Sequence, residues 1–339
     1  KETELLWVGT KDKGLYKIDL SNQIQFLNSS FFGLDELQIQ ELYNDENDNT
    51  WIGAKDFIIK LHPDFTFQII DKSMLWNKLK IFLKQKGLNP NSDTVFGQYK
   101  IKDGFSSFNI ASDKEHNIWV ATTWGLFCFD NELAIKTFYG SDGGHVAFND
   151  KDQLFFGHMY SDLHFIPNKY NTKTLTNFSV KNKSIPRDIS KIVKNGNQLW
   201  YASITKGLYM SRDNNFYWIN ANGCFKENNI KDLIIDSKQN LVIGTNSGSV
   251  YITKPKGDSI EITSIYNPNK ELYGTSISFI EECNGNYFVG TNKGINLIKN
   301  NQFIKLINKS EGLSDLQFND CVKDRKGNIW VATNNGLIQ

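Results

Sequence analysis

The 339-residue chain lacks the short motifs that would assign it to a common catalytic class. It has no Gly-x-Ser-x-Gly nucleophile elbow, no Gly-x-x-x-x-Gly-Lys phosphate loop and no His-Glu-x-x-His zinc helix. No Asp-rich calcium loop stands out either. The sequence therefore gives no support to serine hydrolysis, nucleotide hydrolysis or zinc proteolysis, and we expect no cofactor, no bound metal and no catalytic residues.

Long apolar runs, an excess of one charge and paired cysteines are also missing. The apolar runs are strand-length, far short of the roughly 20 residues that a membrane helix needs. Lys and Arg total 38 against 37 Asp and Glu, and the basic residues do not cluster with aromatic ones, so no nucleic-acid partner is expected. The four cysteines show no Cys-x-x-Cys spacing, and Cys128 and Cys321 fall at apolar strand positions, where cysteine acts as a small hydrophobic residue. The opening KETELLW shows no signal-peptide pattern, so none is expected within these residues.

What the chain does contain is one phrase repeated along its length. The clearest copy, NIWVATTWGLFCFD at 117–130, reads as two short strands joined by a Thr-x-x-Gly loop. Most copies follow another strand and a polar turn, and precede a further short strand, so each unit has four strands. The copies lie at 5–19, 50–61, 117–130, 153–166, 199–210, 241–252, 287–298 and 329–339.

The spacing of these copies predicts an all-β fold, a β-propeller of four-stranded blades over residues 1–339. All but one of the intervals between copies are 36 to 46 residues long, close to the length of a propeller blade. Stacking the units in a ring buries both faces of each sheet and protects the edges. Seven blades are favoured, with the strand near residues 318–323 closing the blade that begins at Leu5 and the eighth copy left over. Eight blades are the alternative.

The long interval carries an insertion at about 71–102 that we expect to be partly helical. Leu75, Leu79, Phe82 and Leu83 have helical spacing. Asp71 or Ser73 is suited to the N-cap, Gly87 to the stop, and Pro90 lies beyond it. Because the insertion joins the last strand of one blade to the first strand of the next, the helix should border the face that bears the Thr-x-x-Gly loops.

The repeated phrase resembles the two-component regulator propeller repeat. The resemblance is closest at 117–130 and 311–337, where EGLSDLQFNDCVKDRKGNIWVATNNGL also carries the Glu-Gly-Leu-Ser opening of that repeat. Two copies depart from it. The copy at 50–61 lacks the loop glycine, and the copy at 153–166 has Phe155 in place of Trp and His158 in place of Thr.

The resemblance implies the periplasmic sensor region of a hybrid two-component system, as found in Bacteroidetes. It implies an oligosaccharide ligand, a neighbouring propeller or β-sandwich domain in the same chain, and kinase and regulator modules outside these residues. A homodimer is also considered. Similar repeats occur in lyases, so a polysaccharide or glycoside lyase is the alternative function, and a non-catalytic interaction scaffold is another.

Candidate ligand-binding residues lie on the face of the Thr-x-x-Gly loops. Trp124 replaces the polar residues of sibling loops and could stack on a sugar or pack under the insertion. His158 and Tyr160 belong to a His- and Asp-rich copy that could contact a ligand; in a lyase they would form the proton-abstracting pair. The recurring tryptophans, Trp119 among them, are expected in the core.

Polar residues are also predicted to surround the channel where the innermost strands begin. Arg187 could hold a carboxylate with two hydrogen bonds, and a water-filled channel with satisfied polar walls is the alternative. The set is Arg187, Asp188, Asn229, Thr275 and Asn319.

Overall fold

The computed structural model describes residues 5–10, 14–19, 26–89, 104–140, 144–157, 163–166, 168–170, 176–177, 186–212, 215–219, 225 and 227–339, with the backbone alone described for 5–19 and 176–177. These residues form seven antiparallel sheets of four strands, together with one two-stranded hairpin and one α-helix. The predicted seven-bladed propeller is therefore confirmed.

The chain begins with a hairpin of β1 (Leu5–Thr10) and β2 (Gly14–Asp19), followed by β3 (Phe26–Asn28). Blades one to three follow in chain order. The first is β4 (Ile39–Asn44), β5 (Thr50–Ala54), β6 (Phe57–Leu61) and β7 (Phe67–Asp71); the second is β8 (Ser107–Ser112), β9 (Ile118–Thr122), β10 (Gly125–Phe129) and β11 (Ile135–Tyr139); the third is β12 (His145–Phe148), β13 (Leu154–Gly157), β14 (His164–Ile166) and β15 (Thr176–Asn177).

The remaining four blades complete the ring. The fourth is β16 (Ile189–Asn195), β17 (Gln198–Ser203), β18 (Gly207–Arg212) and β19 (Asn215–Trp218); the fifth is β20 (Ile230–Ile235), β21 (Leu241–Thr245), β22 (Val250–Lys256) and β23 (Ser259–Tyr266); the sixth is β24 (Ile277–Cys283), β25 (Asn286–Thr291), β26 (Gly294–Lys299) and β27 (Gln302–Ile307); the seventh is β28 (Phe318–Lys323), β29 (Ile329–Thr333), β30 (Gly336–Ile338) and β3.

The seventh blade closes the ring in a different way from the prediction. Its outermost strand is β3, which pairs with β30 through Phe26–Ile338, Leu27–Leu337 and Asn28–Gly336. The eighth copy of the repeat is thus part of the propeller, and the copy left over is the first one, which forms the β1–β2 hairpin. The prediction that the eighth copy is redundant was wrong, because two equivalent copies compete for one outer strand.

The innermost strands of consecutive blades contact each other around a central channel, and β28 contacts β4 to complete the circle. The Thr-x-x-Gly loops join the second and third strands of each blade, so they lie at one end of the channel, here called the Thr-x-x-Gly face. The turns between the first and second strands lie at the other end, here called the first-turn face.

The Thr-x-x-Gly loops explain the residues that recur in the sequence. The Thr122 hydroxyl donates to the carbonyl of Gly125 at 2.9 Å, and Thr291 donates to Gly294 at the same distance. Gly125 has φ +135°, and a Cβ there would lie 2.3 Å from the carbonyl oxygen of Tyr139 in the outermost strand. Only glycine fits this close approach.

The inserted helix, α1 (Lys72–Gln85), confirms the helical prediction. Asp71 is the N-cap, accepting from the backbone N–H of Met74 at 2.8 Å, and Gly87 has φ +71° just beyond the end. The predicted core residues Leu75, Leu79, Phe82 and Leu83 are buried against blades one and two. The rest of the predicted insertion, from residue 90 to 102, lies outside the described residues. No helix in the described parts of the chain is long and apolar enough to span a membrane.

Candidate functional site

The polar turns before the repeated tryptophans hold those tryptophans in place. In the second blade, one oxygen of Asp113 accepts the backbone N–H groups of Glu115 and Asn117, and the other accepts the indole N–H of Trp119 at 2.9 Å. Burial alone would raise the pKa of Asp113, but the hydrogen bonds from Trp119, Lys169 and Asn117 outweigh it and lower that pKa. The same arrangement recurs at Asp45, Asn49 and Trp51, and at Asp324, Asn328 and Trp330.

The other four blades depart from this arrangement: the third has Asn149 in place of the aspartate, and the sixth has only a two-residue turn between β24 and β25. In the fifth blade, Asp236 accepts instead from the hydroxyl of Tyr287, which comes from the next blade, at 2.7 Å. In the fourth blade, β16 and β17 are joined by a two-residue turn at Gly196, which leaves no place for the aspartate. Trp200 is fully buried, and its indole N–H has no hydrogen-bond partner within the described part of the chain.

A ring of mostly polar residues, here called the polar ring, surrounds the channel at mid-depth. Each member belongs to an innermost strand and lies opposite the Gly or Ala of the repeated phrase on the second strand. The strand register therefore makes these seven positions equivalent. They are Glu41, Asn109, His145, Lys191, Asp232, Phe279 and Asp320.

Several members of the polar ring connect one blade to the next. Asp320 of the last blade accepts the backbone N–H of Leu42 in the first blade at 2.8 Å. Asp232 accepts the backbone N–H of Ile280, the equivalent position one blade further, at 2.6 Å. Charge-assisted hydrogen bonds of this kind are among the stronger ones in proteins. The main role of these two carboxylates is therefore to hold neighbouring blades together.

An amide performs the same task between the second and third blades. The side-chain oxygen of Asn109 accepts the backbone N–H of Val146 at 2.9 Å. Its side-chain nitrogen donates to Glu41 of the preceding blade at 2.7 Å. Asn109 thus links three consecutive blades.

Lys191 balances the carboxylates of the polar ring. Its ammonium lies 3.5 Å from Asp320 and 3.9 Å from Asp232. Burial opposes the charge of Lys191, but the carboxylates of Asp320, Glu41 and Asp232 outweigh it and hold the pKa of Lys191 well above its usual value. Burial, followed by the nearby Asp320, raises the pKa of Glu41, and burial also raises that of Asp232. The ring therefore places one cation, Lys191, beside two acids, Glu41 and Asp232, whose pKa values are raised by burial.

Between the polar ring and the first-turn face, the channel opens into a cavity of about 530 Å³. Its wall includes the residues two positions further along each innermost strand, a set here called the apolar ring. Lys114, Asn149, Asp152 and Lys194 line the mouth, where the first turns begin. The apolar ring consists of Tyr43, Ala111, Ala147, Val193, Ile234, Glu281 and Val322.

Glu281 is the one acid in the apolar ring. Burial raises its pKa to about 7, while the backbone N–H of Glu282 partly offsets this by donating to it at 2.9 Å. Tyr43, the other polar member, shares a hydrogen bond with Ser112 at 2.5 Å. The cavity therefore offers apolar walls, a titratable carboxyl and a rim of lysine, amide and carboxylate groups.

Trp124 is not exposed, contrary to the expectation of an aromatic platform in an open loop. It lies beneath α1, with its ring 6.4 Å from Trp76 and 5.3 Å from Phe105, and only 4% of its surface is exposed. Its indole N–H donates to the carbonyl of Gly104 at 2.9 Å. The packing alternative explains this residue.

The other predicted site residues lie apart from the cavity. Arg187 and Asp188 precede β16 on the Thr-x-x-Gly face, where Asp188 accepts from the Thr205 hydroxyl at 2.6 Å. Asn229 precedes β20, and its buried side-chain oxygen lacks a hydrogen-bond partner among the described residues. None of these three lines the cavity. Their ligand role stays a prediction.

The predicted His and Tyr pair cannot be placed in this geometry. His158 and Tyr160 lie outside the described residues. Within the described part of the chain, no three His, Cys, Asp or Glu side chains are arranged to hold a metal ion. The polar ring was not predicted from the sequence. Aligning the innermost strands across the repeats, at the position that pairs with Gly or Ala, would have identified it.

Comparison with known proteins supports the resemblance found in the sequence. Residues 312–335 match the model of the two-component regulator propeller repeat, which confirms the predicted resemblance to that repeat. Over 251 residues, 70% of this chain, the sequence is 26% identical to Histidine kinase P4 of Formosa agariphila.

Solved propellers share the fold at low sequence identity. Two of them are structures of the extracellular domain of a putative one-component or hybrid two-component system from B. thetaiotaomicron, and 44% of each is covered. The first matches 100% of this chain at 16% identity and a TM-score of 0.69, and the second matches 98% at 14% identity and a TM-score of 0.65. A catalytically inactive virginiamycin B lyase from Staphylococcus aureus with quinupristin matches 93% of this chain and 97% of its own, at 12% identity and a TM-score of 0.66. The chain spans 17% of the length of the kinase and under half of the extracellular domains.

Proposed function

We propose that this chain, which carries the two-component regulator propeller repeat, is the extracytoplasmic sensing part of a hybrid two-component sensor. In this proposal the chain lies in the periplasm and has no catalytic role of its own. The histidine kinase lies elsewhere in the same protein. The likeness to Histidine kinase P4 and to extracellular signalling domains supports this assignment.

The proposed ligand is an oligosaccharide that binds at the cavity mouth on the first-turn face. The observation that carries this choice is the cavity itself, whose 530 Å³ falls in the usual range for small-molecule sites. Apolar walls suit the C–H faces of sugars, and the rim of Lys114, Asn149, Asp152 and Lys194 provides donors and acceptors for hydroxyl and carboxylate groups.

The signal would pass through a change in how this propeller sits against its partners. We propose a neighbouring propeller or β-sandwich domain of the same chain, or a second copy, as that partner. A ligand shifts such an equilibrium only by its differential affinity for the two arrangements. The cavity is walled by all seven blades, so an occupant can bias the whole ring.

Thermal unfolding of the chain with a panel of neutral and acidic oligosaccharides tests the proposal, with breakdown of the sugars followed in the same samples. A ligand at 100 times its dissociation constant adds about 2.7 kcal/mol to the free energy of unfolding, which is readily detected. We expect a higher melting temperature with one class of glycan and no breakdown. Breakdown would instead support a lyase, and a panel with no effect would favour an interaction scaffold.

A further inference from the structure

The inserted helix α1 has an outer face that neither the propeller ring nor the central channel uses. Residues 72–89 contain five lysines and no acidic residue, in a chain whose lysines and arginines otherwise nearly balance its acids. Within the described part of the chain, none of these lysines forms an ion pair; Lys80 and Lys86 lie over the rings of Trp76 and Phe82. The lysines are Lys72, Lys78, Lys80, Lys84 and Lys86.

The same face carries an exposed apolar stripe. Met74 and Ile81, seven residues apart in α1, are 46% and 59% exposed, and Leu88, just beyond the end of the helix, is 45% exposed. With 3.6 residues per turn, Met74 and Ile81 project opposite the buried Leu75, Leu79, Phe82 and Leu83 face. Lys78 and Lys84 flank this stripe on either side, so α1 combines a buried apolar face with an outer face that is both basic and apolar.

We propose that the outer face of α1 docks on the anionic surface of a phospholipid bilayer. Lysine ammonium groups attract anionic headgroups, and aliphatic side chains between them insert at the boundary of headgroups and acyl chains. The face has no arginine, the residue favoured for paired recognition of one carboxylate or phosphate. It also lacks a fully exposed aromatic, which glycan and protein partners usually engage. The charge pattern thus fits a diffuse anionic surface better than a single ligand.

This docking would fix the orientation of the propeller. Because α1 packs against the outer strands of the first and second blades, bilayer contact would hold those two blades towards the membrane. The proposal does not depend on what the central cavity binds.

Sedimentation with lipid vesicles tests the proposal without any glycan. We expect the chain to sediment with phosphatidylcholine vesicles that contain phosphatidylglycerol, but not with pure phosphatidylcholine. Binding should weaken strongly with salt, because the Debye length falls from about 10 Å at 0.1 M to about 3 Å at 1 M. Absence of binding to the anionic vesicles would overturn the proposal.

Variants on the exposed face identify the surface responsible. Lys78→Glu with Lys84→Glu should lower vesicle partitioning at least about tenfold, and Ile81→Ser should lower it while leaving the salt dependence unchanged. The control is Lys293→Glu with Lys299→Glu, two exposed lysines of the sixth blade without ion pairs in the described structure, which should bind as the parent does. Circular dichroism confirms that each variant is folded. Undiminished binding by the Lys78 and Lys84 variant would refute the assignment.

Discussion

The carboxylate of Asp320 in the last blade accepts a hydrogen bond from the backbone N–H of Leu42 in the first blade, 2.8 Å away. This bond joins residues 278 positions apart and fastens the ring where its two ends meet. Two further contacts cross the same junction, from the Asn319 side chain to the Ile39 carbonyl and from the Arg325 N–H to Asp48. Closure therefore depends on specific polar contacts as well as on the pairing of β3 with β30.

Replacing Asp320 should destabilise the propeller. We expect Asp320→Ala to lower the free energy of unfolding by about 3 kcal/mol, since it leaves a buried N–H without its acceptor and removes the carboxylate nearest to the Lys191 ammonium. Asp320→Asn should cost only about 1 kcal/mol, because Asn109 makes the equivalent bond with an amide oxygen. Urea unfolding measures both. Asp258→Ala, which removes an exposed ion pair with Arg212, is the control. Equal losses for Asp320→Ala and the control would contradict this account.

The tryptophans of the second and fourth blades offer a matched test of the aspartate turn. Both are fully buried, but only the indole N–H of Trp119 has a carboxylate acceptor, Asp113. Trp119→Phe should therefore destabilise the protein by about 1–2 kcal/mol more than Trp200→Phe. Chemical unfolding of the two variants gives the difference. A larger loss from the Trp200 change would show that the indole bond is unimportant.

Acid should unfold the protein partly through the aspartate turns. Hydrogen bonds lower the pKa of Asp113 and of Asp236 in the folded state, despite burial that acts in the opposite direction. The stability they contribute is present above the unfolded pKa of about 3.9 and is lost as pH falls through the lower folded values. Stability measured against pH should therefore fall below about pH 4. In Asp113→Asn that acid limb should be shallower; an unchanged limb would exclude Asp113 as a contributor.

Glu281 should have the opposite effect on pH dependence. Burial raises its folded pKa to about 7, so the folded state favours the protonated form. Its contribution is fully present below the unfolded pKa of about 4.3 and is lost as pH rises through about 7. We therefore expect Glu281→Gln to be more stable than the parent by about 3–4 kcal/mol at pH 8 and equal to it near pH 4. Thermal unfolding at both pH values decides this, and a constant difference across pH would contradict it.

Much of the fold was predictable from the sequence, because the repeated phrase indicates the positions of the strands, the glycine of the loop and the length of a blade. The helix was equally predictable, since Asp71, Gly87 and the spacing of Leu75 and Leu79 each indicate it. The way the ring closes was not predictable, because the copies that contain Trp7 and Trp330 are equivalent in sequence. Only long-range pairing determines which copy receives β3.

The site was less predictable for two physical reasons. A bulge in most of the innermost strands, such as that between Ile230 and Asp232, shifts the alternation of side chains, so the polar ring is hidden in the sequence pattern. For Trp124 the sequence left open both an exposed loop position and packing under the insertion, and only the folding of α1 over that loop decides between them. Both features depend on contacts between segments distant in sequence.

The proposal that an oligosaccharide binds at the cavity mouth is most directly tested by determining on which face of the propeller the ligand binds. With the glycan that raises the melting temperature, the shift should be compared in the parent, in Lys114→Ala with Lys194→Ala, and in Arg187→Ala. The two lysines line the cavity mouth on the first-turn face, whereas Arg187 is exposed on the Thr-x-x-Gly face. The account predicts that the lysine variant loses most of the shift and that Arg187→Ala keeps it. Loss in Arg187→Ala alone would place the ligand on the opposite face and contradict the account.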